Sequence, residues 1–317
     1  MAVLPPELDV ACHLNVVVPD TSQPGLGSAL RALRQLGYRS VVLPPLEPDT
    51  PAAPIAAAFA ETGLRPITIA GLTPGADITS SDPAVRSAGL ARLRSFIDFT
   101  LALGGNQMNG VPYALFGPAT EPMSPTVMRE AARAVGEIAE EAHDRGVVVT
   151  FEVLNRYETN AINTAEQAMQ FVADSGSPHL RIHLDTFHMA VEEADLVAAI
   201  DTALPKLGYL ELGQSGRGGL QTGAVDLPAV IAHAIRAGYH GPWGIEAFSR
   251  QVLGAEIGNM LAIWRQTYDD GIKVAEDAVS VFHDGLARST ADGAADDDPP
   301  GRTAAPRRQG AQQGERG

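Results

Sequence analysis

At 317 residues and 45% hydrophobic, the chain carries enough apolar side chain to bury a full core as one large domain. Its formal net charge of -15 argues against nucleic acid or an anionic membrane as a partner. The single cysteine, Cys12, excludes an internal disulfide and a cysteine-rich zinc site, and with neither a signal-peptide pattern in MAVLPPELDV nor a bilayer-length apolar run, a reducing cytoplasm is the expected compartment.

Strand and helix patterns alternate along the chain, as in an α/β fold with a parallel sheet. The first strand is expected over Val10–Val18, followed by a helix from Leu26 to Leu36. Arg39–Leu43 reads as the second strand, Ala52–Thr62 as an alanine-rich helix, and Arg65–Ala70 as the third strand. Ser81-Asp82-Pro83 supplies an N-cap with proline at the first helical position, opening a helix that runs to Leu103. Gly105–Val111 is a weak fourth strand, and Ser124-Pro125 opens a helix to His143 by the same capping logic. The fifth strand ends at Glu152. Asn163, with Glu166 three residues on, is the expected cap of the next helix. The sixth strand ends at Asp185, the seventh near Leu212 and the eighth at Glu246. Eight strands in order predict a closed (β/α)8 barrel. Leu253–Leu286 reads as a C-terminal helix with Trp264 and Tyr268 on one face, packing under the barrel or at a subunit contact. The barrel domain is therefore 1–286. The tail, 287–317, has almost no residue left to bury and is expected to be disordered.

Glu152, Asp185, Glu211 and Glu246 each end a short apolar run, VVVTFE, LRIHLD, KLGYLE and GPWGIE. If these runs are parallel barrel strands, all four carboxylates emerge at the C-terminal mouth, where enzymes of this fold keep their active sites. Four anions converging there repel unless a cation sits between them, so a divalent metal with oxygen ligands is the economical reading. Solvated acids at strand ends would explain one such residue better than four in phase. The following loops hold Asn155-Arg156-Tyr157-Glu158, Thr186-Phe187-His188-Met189 and Gly216-Arg217-Gly218, polar groups suited to a small hydroxylated ligand. His183 shares the strand parity of Asp185 but sits two residues deeper, roughly 6–7 Å along the strand, far for direct ligation, and reads as barrel filling. Cys12, His13 and Asn15 are ambiguous, since the first strand can line the pocket floor.

The stretches FEVLNRYETNAINTAEQA and HLDTFHMAVEE, the Arg217-Gly218 and Thr222-Gly223 loop, and GPWGIEAF resemble the ketose 3-epimerases of the xylose-isomerase-like sugar isomerase/epimerase superfamily. The resemblance runs from the first strand to the C-terminal helix. It implies a metal-dependent isomerase or epimerase acting on a keto-sugar by proton abstraction next to the carbonyl. Glu152 and Glu246 would be both metal ligands and the acid/base pair, and Asp185 a ligand only. Glu158, His188 and Arg217 would hold the sugar. Relatives of this kind associate as dimers or tetramers, so a homo-oligomer is expected, with a hetero-complex left open.

One position departs from the family pattern. Where the family carries a metal histidine in a His-x-Gly pattern on the seventh strand, this chain has Glu211-Leu212-Gly213. An all-oxygen site of Glu152, Asp185, Glu211 and Glu246 should favour manganese, with magnesium or cobalt as further possibilities, and should raise the pKa of at least one carboxylate. Three outcomes stay open: a working epimerase with a changed metal preference, a lyase, dehydratase or C-glycoside-cleaving subunit on a keto-sugar, or a metal-free binding subunit. A nuclease of the same superfamily would need more histidines and a basic face, and the sequence has neither.

Overall fold

A computed structural model describes residues 2–21 and 25–296. Eight parallel strands close on themselves in sequence order: β1 (Val10–His13), β2 (Ser40–Val42), β3 (Arg65–Gly71), β4 (Gln107–Val111), β5 (Val148–Val153), β6 (Arg181–Asp185), β7 (Leu207–Gly213) and β8 (Trp243–Glu246). The expected (β/α)8 barrel is present. Its outer helices are α1 (Leu26–Gln35), α2 (Ala52–Thr62), α3 (Pro83–Ala102), α4 (Pro125–Asp144), α5 (Ala165–Ser175), α6 (Thr186–Glu192), α7 (Leu196–Ala203) and α8 (Leu227–Arg236). After β8 come the short α9 (Ala255–Met260) and the long α10 (Gly271–Asp296).

Side chains alternate across each strand, so one set packs outward against the helices and the other fills the barrel. The outward set belongs to one continuous apolar core that includes Val10, Val41, Phe151, Ile182, Leu184 and Leu210. Inside the barrel, Ala11, Val42, Ile67 and Tyr209 form a small separate plug. His13 and Glu211 follow Ala11 and Tyr209 by two residues on their strands, so they face the same interior, one level nearer the mouth. The apolar plug is thus the floor on which the polar residues stand.

Helix starts follow local chemistry. Asp82 accepts a hydrogen bond from the Ala84 N–H, and Ser124 from the Val127 N–H, each followed by a proline whose missing N–H costs nothing there. The cap of α5 is Thr164, one residue later than the sequence suggested. Its hydroxyl accepts from the Gln167 N–H while the Gln167 side chain returns to the Thr164 N–H, a complete capping box. Asn163 instead donates its amide to the carbonyls of Leu154 and Thr159, tying down the loop after β5. The first strand is also shorter than expected: the chain leaves the sheet after His13 in a 3-10 turn over Leu14–Val16.

The C-terminal helix expected over Leu253–Leu286 is broken. Residues 261–270 are irregular, Trp264 is 68% exposed, and Tyr268 instead reaches the carbonyls of Val16 and Ala247. After the break, α10 packs between α8 and α1, closing the outer ring rather than lying under the barrel. The Tyr38 hydroxyl donates to Ala275 O at 2.9 Å, and Phe282 meets Trp243 edge-on. The helix continues past the expected boundary at Ala287 to Asp296, and the rest of the tail lies outside the described residues. Thr164→Ala should lower the unfolding free energy by about 1 kcal/mol in urea denaturation, the usual loss for a removed hydroxyl cap.

Candidate active site

The mouth of the barrel collects the residues singled out from the sequence. Glu152 is the penultimate residue of β5, Asp185 ends β6, Glu211 lies near the end of β7 and Glu246 ends β8. Strand pairing puts Asp185 opposite Glu211, and Glu211 opposite Gly244. Asp185 also caps α6: its Oδ1 accepts the Phe187 N–H at 2.9 Å, which turns Oδ2 toward the interior. Asp185 and Glu211 have no exposed surface, and Glu246 is buried.

Three imidazoles stand among these acids. His13 Nε2 lies 2.9 Å from Glu211 Oε1, and its Nδ1 is 3.5 Å from Glu246 Oε1. His183 Nε2 is 3.1 Å from Glu211 Oε2. His188 Nε2 is 3.4 Å from Glu152 Oε1 and 3.7 Å from Asp185 Oδ2. Glu211 is therefore flanked on both oxygens, and its surroundings are not the all-oxygen set the sequence suggested. His183 is barrel interior, as expected from its parity, but it is not remote. It pairs across the sheet with Glu152, so it stands level with that carboxylate rather than beneath it. Counting along its own strand missed the stagger between tilted neighbours.

The sugar-side residues also meet. Arg217 donates from Nη1 to Glu158 Oε1 at 3.0 Å and from Nη2 to Glu246 Oε2 at 2.7 Å. Its guanidinium lies 4.3 Å from the Phe187 ring centroid and 4.9 Å from that of Phe248, a sandwich that fixes its plane. Its backbone is left-handed, at φ 52°, an unfavourable conformation for a side-chain-bearing residue. The turn between Gly216 and Gly218 holds it there, with Phe248 N–H donating to Arg217 O. His188 Nδ1 accepts the Asn155 backbone N–H at 3.1 Å, with the Asn155 side-chain amide 2.8 Å away.

Charge crowding sets the protonation pattern. Burial and the neighbouring carboxylates Glu246, Glu211 and Glu152 push Asp185 well above the usual carboxylate range. Burial also raises Glu246, with Arg217 and His13 offsetting only part of it. Glu152 moves the other way: burial would raise it, but His183 and His188 outweigh that. Glu211 is likewise lowered, because His13 and His183 overcome its burial. Burial opposes charge on His13, yet Glu211 and Glu246 prevail and lift it to about 9.

His13, Glu152 and Glu246 border a cavity of about 310 Å³, with Asp185 and Glu211 behind its lining. His13, Glu152, Glu158, His188, Arg217 and Glu246 line one side, and Ile69, Leu72, Phe96, Val111 and Phe116 the other. Asp185 Oδ2, both Glu211 oxygens, and the Nε2 atoms of His13, His183 and His188 are buried without an aligned hydrogen bond. Buried polar atoms rarely go unpaired. Ligand-capable atoms of His13, Glu211 and Glu246 lie within 4.8 Å of one another, as do those of Glu152, Asp185 and His188, and those of Glu152, His183 and Glu211. This donor set fits a divalent cation.

Two consequences are testable. A Cβ on Gly244 would fall 2.3 Å from Tyr209 Oη and 2.5 Å from Glu211 Oε1. Gly244→Ala should therefore destabilise the fold by about 1–3 kcal/mol, read as a lowered melting temperature. For chelator-treated protein, the His13 contribution is fully present below the unfolded value of 6.5 and is lost as pH rises through about 9. Its melting temperature should fall over that interval, and His13→Gln should flatten the fall.

The xylose isomerase-like TIM barrel family model matches residues 30–278. The ketose 3-epimerase of Arthrobacter globiformis is 34% identical over 282 residues, covering 88% of this chain and 97% of that protein. The L-ribulose 3-epimerase of Methylomonas sp. (strain DH-1) is 33% identical, covering 87% and 96%. Among solved structures, an L-ribulose 3-epimerase superposes with a TM-score of 0.86 at 31% identity, over 93% of this chain and all of that one. A D-allulose 3-epimerase from Methylomonas sp. in complex with D-allulose gives 0.82 at 32% identity, over 89% and 98%. With the barrel, the acidic mouth and matches of this length, the chain belongs to the ketose 3-epimerase branch of the xylose isomerase-like TIM barrel family.

Proposed function

We propose that this chain epimerises a small ketose at the carbon next to its carbonyl, with Glu152 and Glu246 as the proton-transfer pair. The observation that carries the reading is the pair itself. Two carboxylates, Glu152 partly buried and Glu246 buried, stand three strands apart around the barrel and border one cavity in environments that shift them in opposite directions. A carboxylate on one face can take a proton from a C–H bond, and a carboxylic acid on the other can return one to the carbon. Epimerisation asks for nothing more than removal on one face and return on the other.

The neighbouring groups suit orientation of the sugar. Because Nδ1 of His188 accepts from Asn155, its Nε2 carries the proton and can donate to a substrate oxygen. Arg217 and Glu158 present a donor and an acceptor at the same rim, and the Phe187–Phe248 sandwich keeps the donor from swinging away. The carboxylates Glu152, Asp185, Glu211 and Glu246 are the group around which a divalent ion, manganese in the first place and magnesium or cobalt otherwise, would be held. Such an ion would polarise the ketose carbonyl and its adjacent hydroxyl and so acidify the C–H between them.

Incubation with L-ribulose, D-allulose or D-tagatose in heavy water, in the presence of manganese, should place deuterium at the epimerised carbon, read by proton NMR. Glu152→Gln and Glu246→Gln should each slow both exchange and epimerisation by roughly 100- to 10,000-fold. Full exchange in both variants would exclude them as the acid/base pair.

A further inference from the structure

The three imidazoles at the mouth are not equivalent. His188 accepts at Nδ1 from the Asn155 N–H, so its proton is on Nε2, and a protonated nitrogen does not bind a cation. His183 faces Glu211 Oε2 with Nε2 and packs its ring edge-on against Tyr209, with centroids 4.7 Å apart, and it does not line the cavity. His13 differs from both. Its ring lines the cavity, one nitrogen faces Glu211 Oε1 at 2.9 Å, and the other faces Glu246 Oε1 at 3.5 Å. Neighbouring ligand atoms bound to one ion at about 2.0–2.2 Å lie roughly 2.9–3.6 Å apart. Both contacts fall in that range; the longer Nδ1–Glu246 spacing suits a shared cation, whereas 2.9 Å is also the ordinary distance of an imidazole N–H to a carboxylate.

We propose that His13 is the imidazole ligand of the metal centre, binding through Nδ1 beside Glu246, and that Glu211 is the carboxylate that positions it through Nε2. A metal-bound histidine whose second nitrogen faces a carboxylate is a recurrent arrangement that fixes the ring and raises its basicity. The inference rests on the metal-dependent reading above and revises one member of its ligand set. Glu211 stands behind His13 rather than on the ion, because its two oxygens already face His13 and His183. The nitrogen that the seventh strand lacks is supplied by β1, which lies next to β8 and so two strands from β7. Gly244, on the strand between them, leaves open the space through which Glu211 reaches His13.

In the protein alone, His13 Nε2 and both Glu211 oxygens are buried without an aligned hydrogen bond. An ion on Nδ1 fixes the ring plane and with it the line from Nε2 to Glu211. Ligand-capable atoms of His13 and Glu246 lie within 4.8 Å of one another, so these two would share the ion.

Manganese(II) binding and pulsed electron paramagnetic resonance of the full chain test the assignment. The wild type should take up one ion per chain and show one directly bound histidine nitrogen, identified by its change on labelling with 15N-histidine. His13→Gln should lose that signal and bind manganese at least 10-fold more weakly, whereas His183→Gln should keep the signal. Glu211→Gln should keep the nitrogen and weaken binding by about 10- to 100-fold. Bound manganese without a nitrogen signal in the wild type, or an unchanged signal in His13→Gln, overturns the assignment and leaves the metal-dependent reading standing. A wild type that takes up no manganese overturns both. Absence of a nitrogen signal in the wild type overturns the assignment even if a variant fails to fold.

Discussion

Glu211 is an anion with no exposed surface, and the layout of the barrel mouth follows from the need to compensate it. A buried carboxylate is tolerated only when opposite charge or donors reach it. Here His13 from β1 and His183 from β6 approach its two oxygens, and Gly244 on β8 withholds the side chain that would block one of them. The same imidazoles carry influence outward. His183 helps hold Glu152 ionised, and His13 partly offsets the burial of Glu246.

Arg217 plays the complementary part on the solvent side. It is buried, holds Glu246 and Glu158 at once, and stays charged because those carboxylates outweigh its desolvation. Its left-handed backbone is the kind of local strain that surrounding structure must over-determine. The two phenylalanine rings and the Phe248 N–H to its carbonyl do so. One cationic group thus links the loop after β7, the loop after β5 and the end of β8.

Much of this was legible in the sequence because barrel strands end in phase. Four acids spaced one strand-and-helix unit apart had to share a mouth, and Glu158, His188 and Arg217 followed from loops anchored to those strands. The roles around Glu211 were not legible. His183 looked too deep because position was counted along one strand, while its neighbour across the sheet is Glu152. His13 offered no signal beyond a polar residue in an apolar run, since its meaning depends on β1 closing against β8. The break before α10 was hidden for a related reason: Tyr268 keeps helical spacing from Trp264, but its hydroxyl is committed to the carbonyls of Val16 and Ala247. Thr164 and Asn163 are both good caps, and only the reach of Asn163 to Leu154 decides between them.

The placement of α10 fixes a direction. Its first residue, Gly271, packs against the backbone of Val16, just beyond the mouth end of β1. Halfway along, His283 contacts Val3 O, and Leu286 lies near Glu7 and Asp9, on the side where β1 begins. The helix therefore descends the barrel from the cavity side to the face where β1 begins, and its middle meets the N-terminal segment there. A label or surface linkage attached at exposed His283 starts from that far side, which leaves the cavity turned toward solvent in an immobilised preparation.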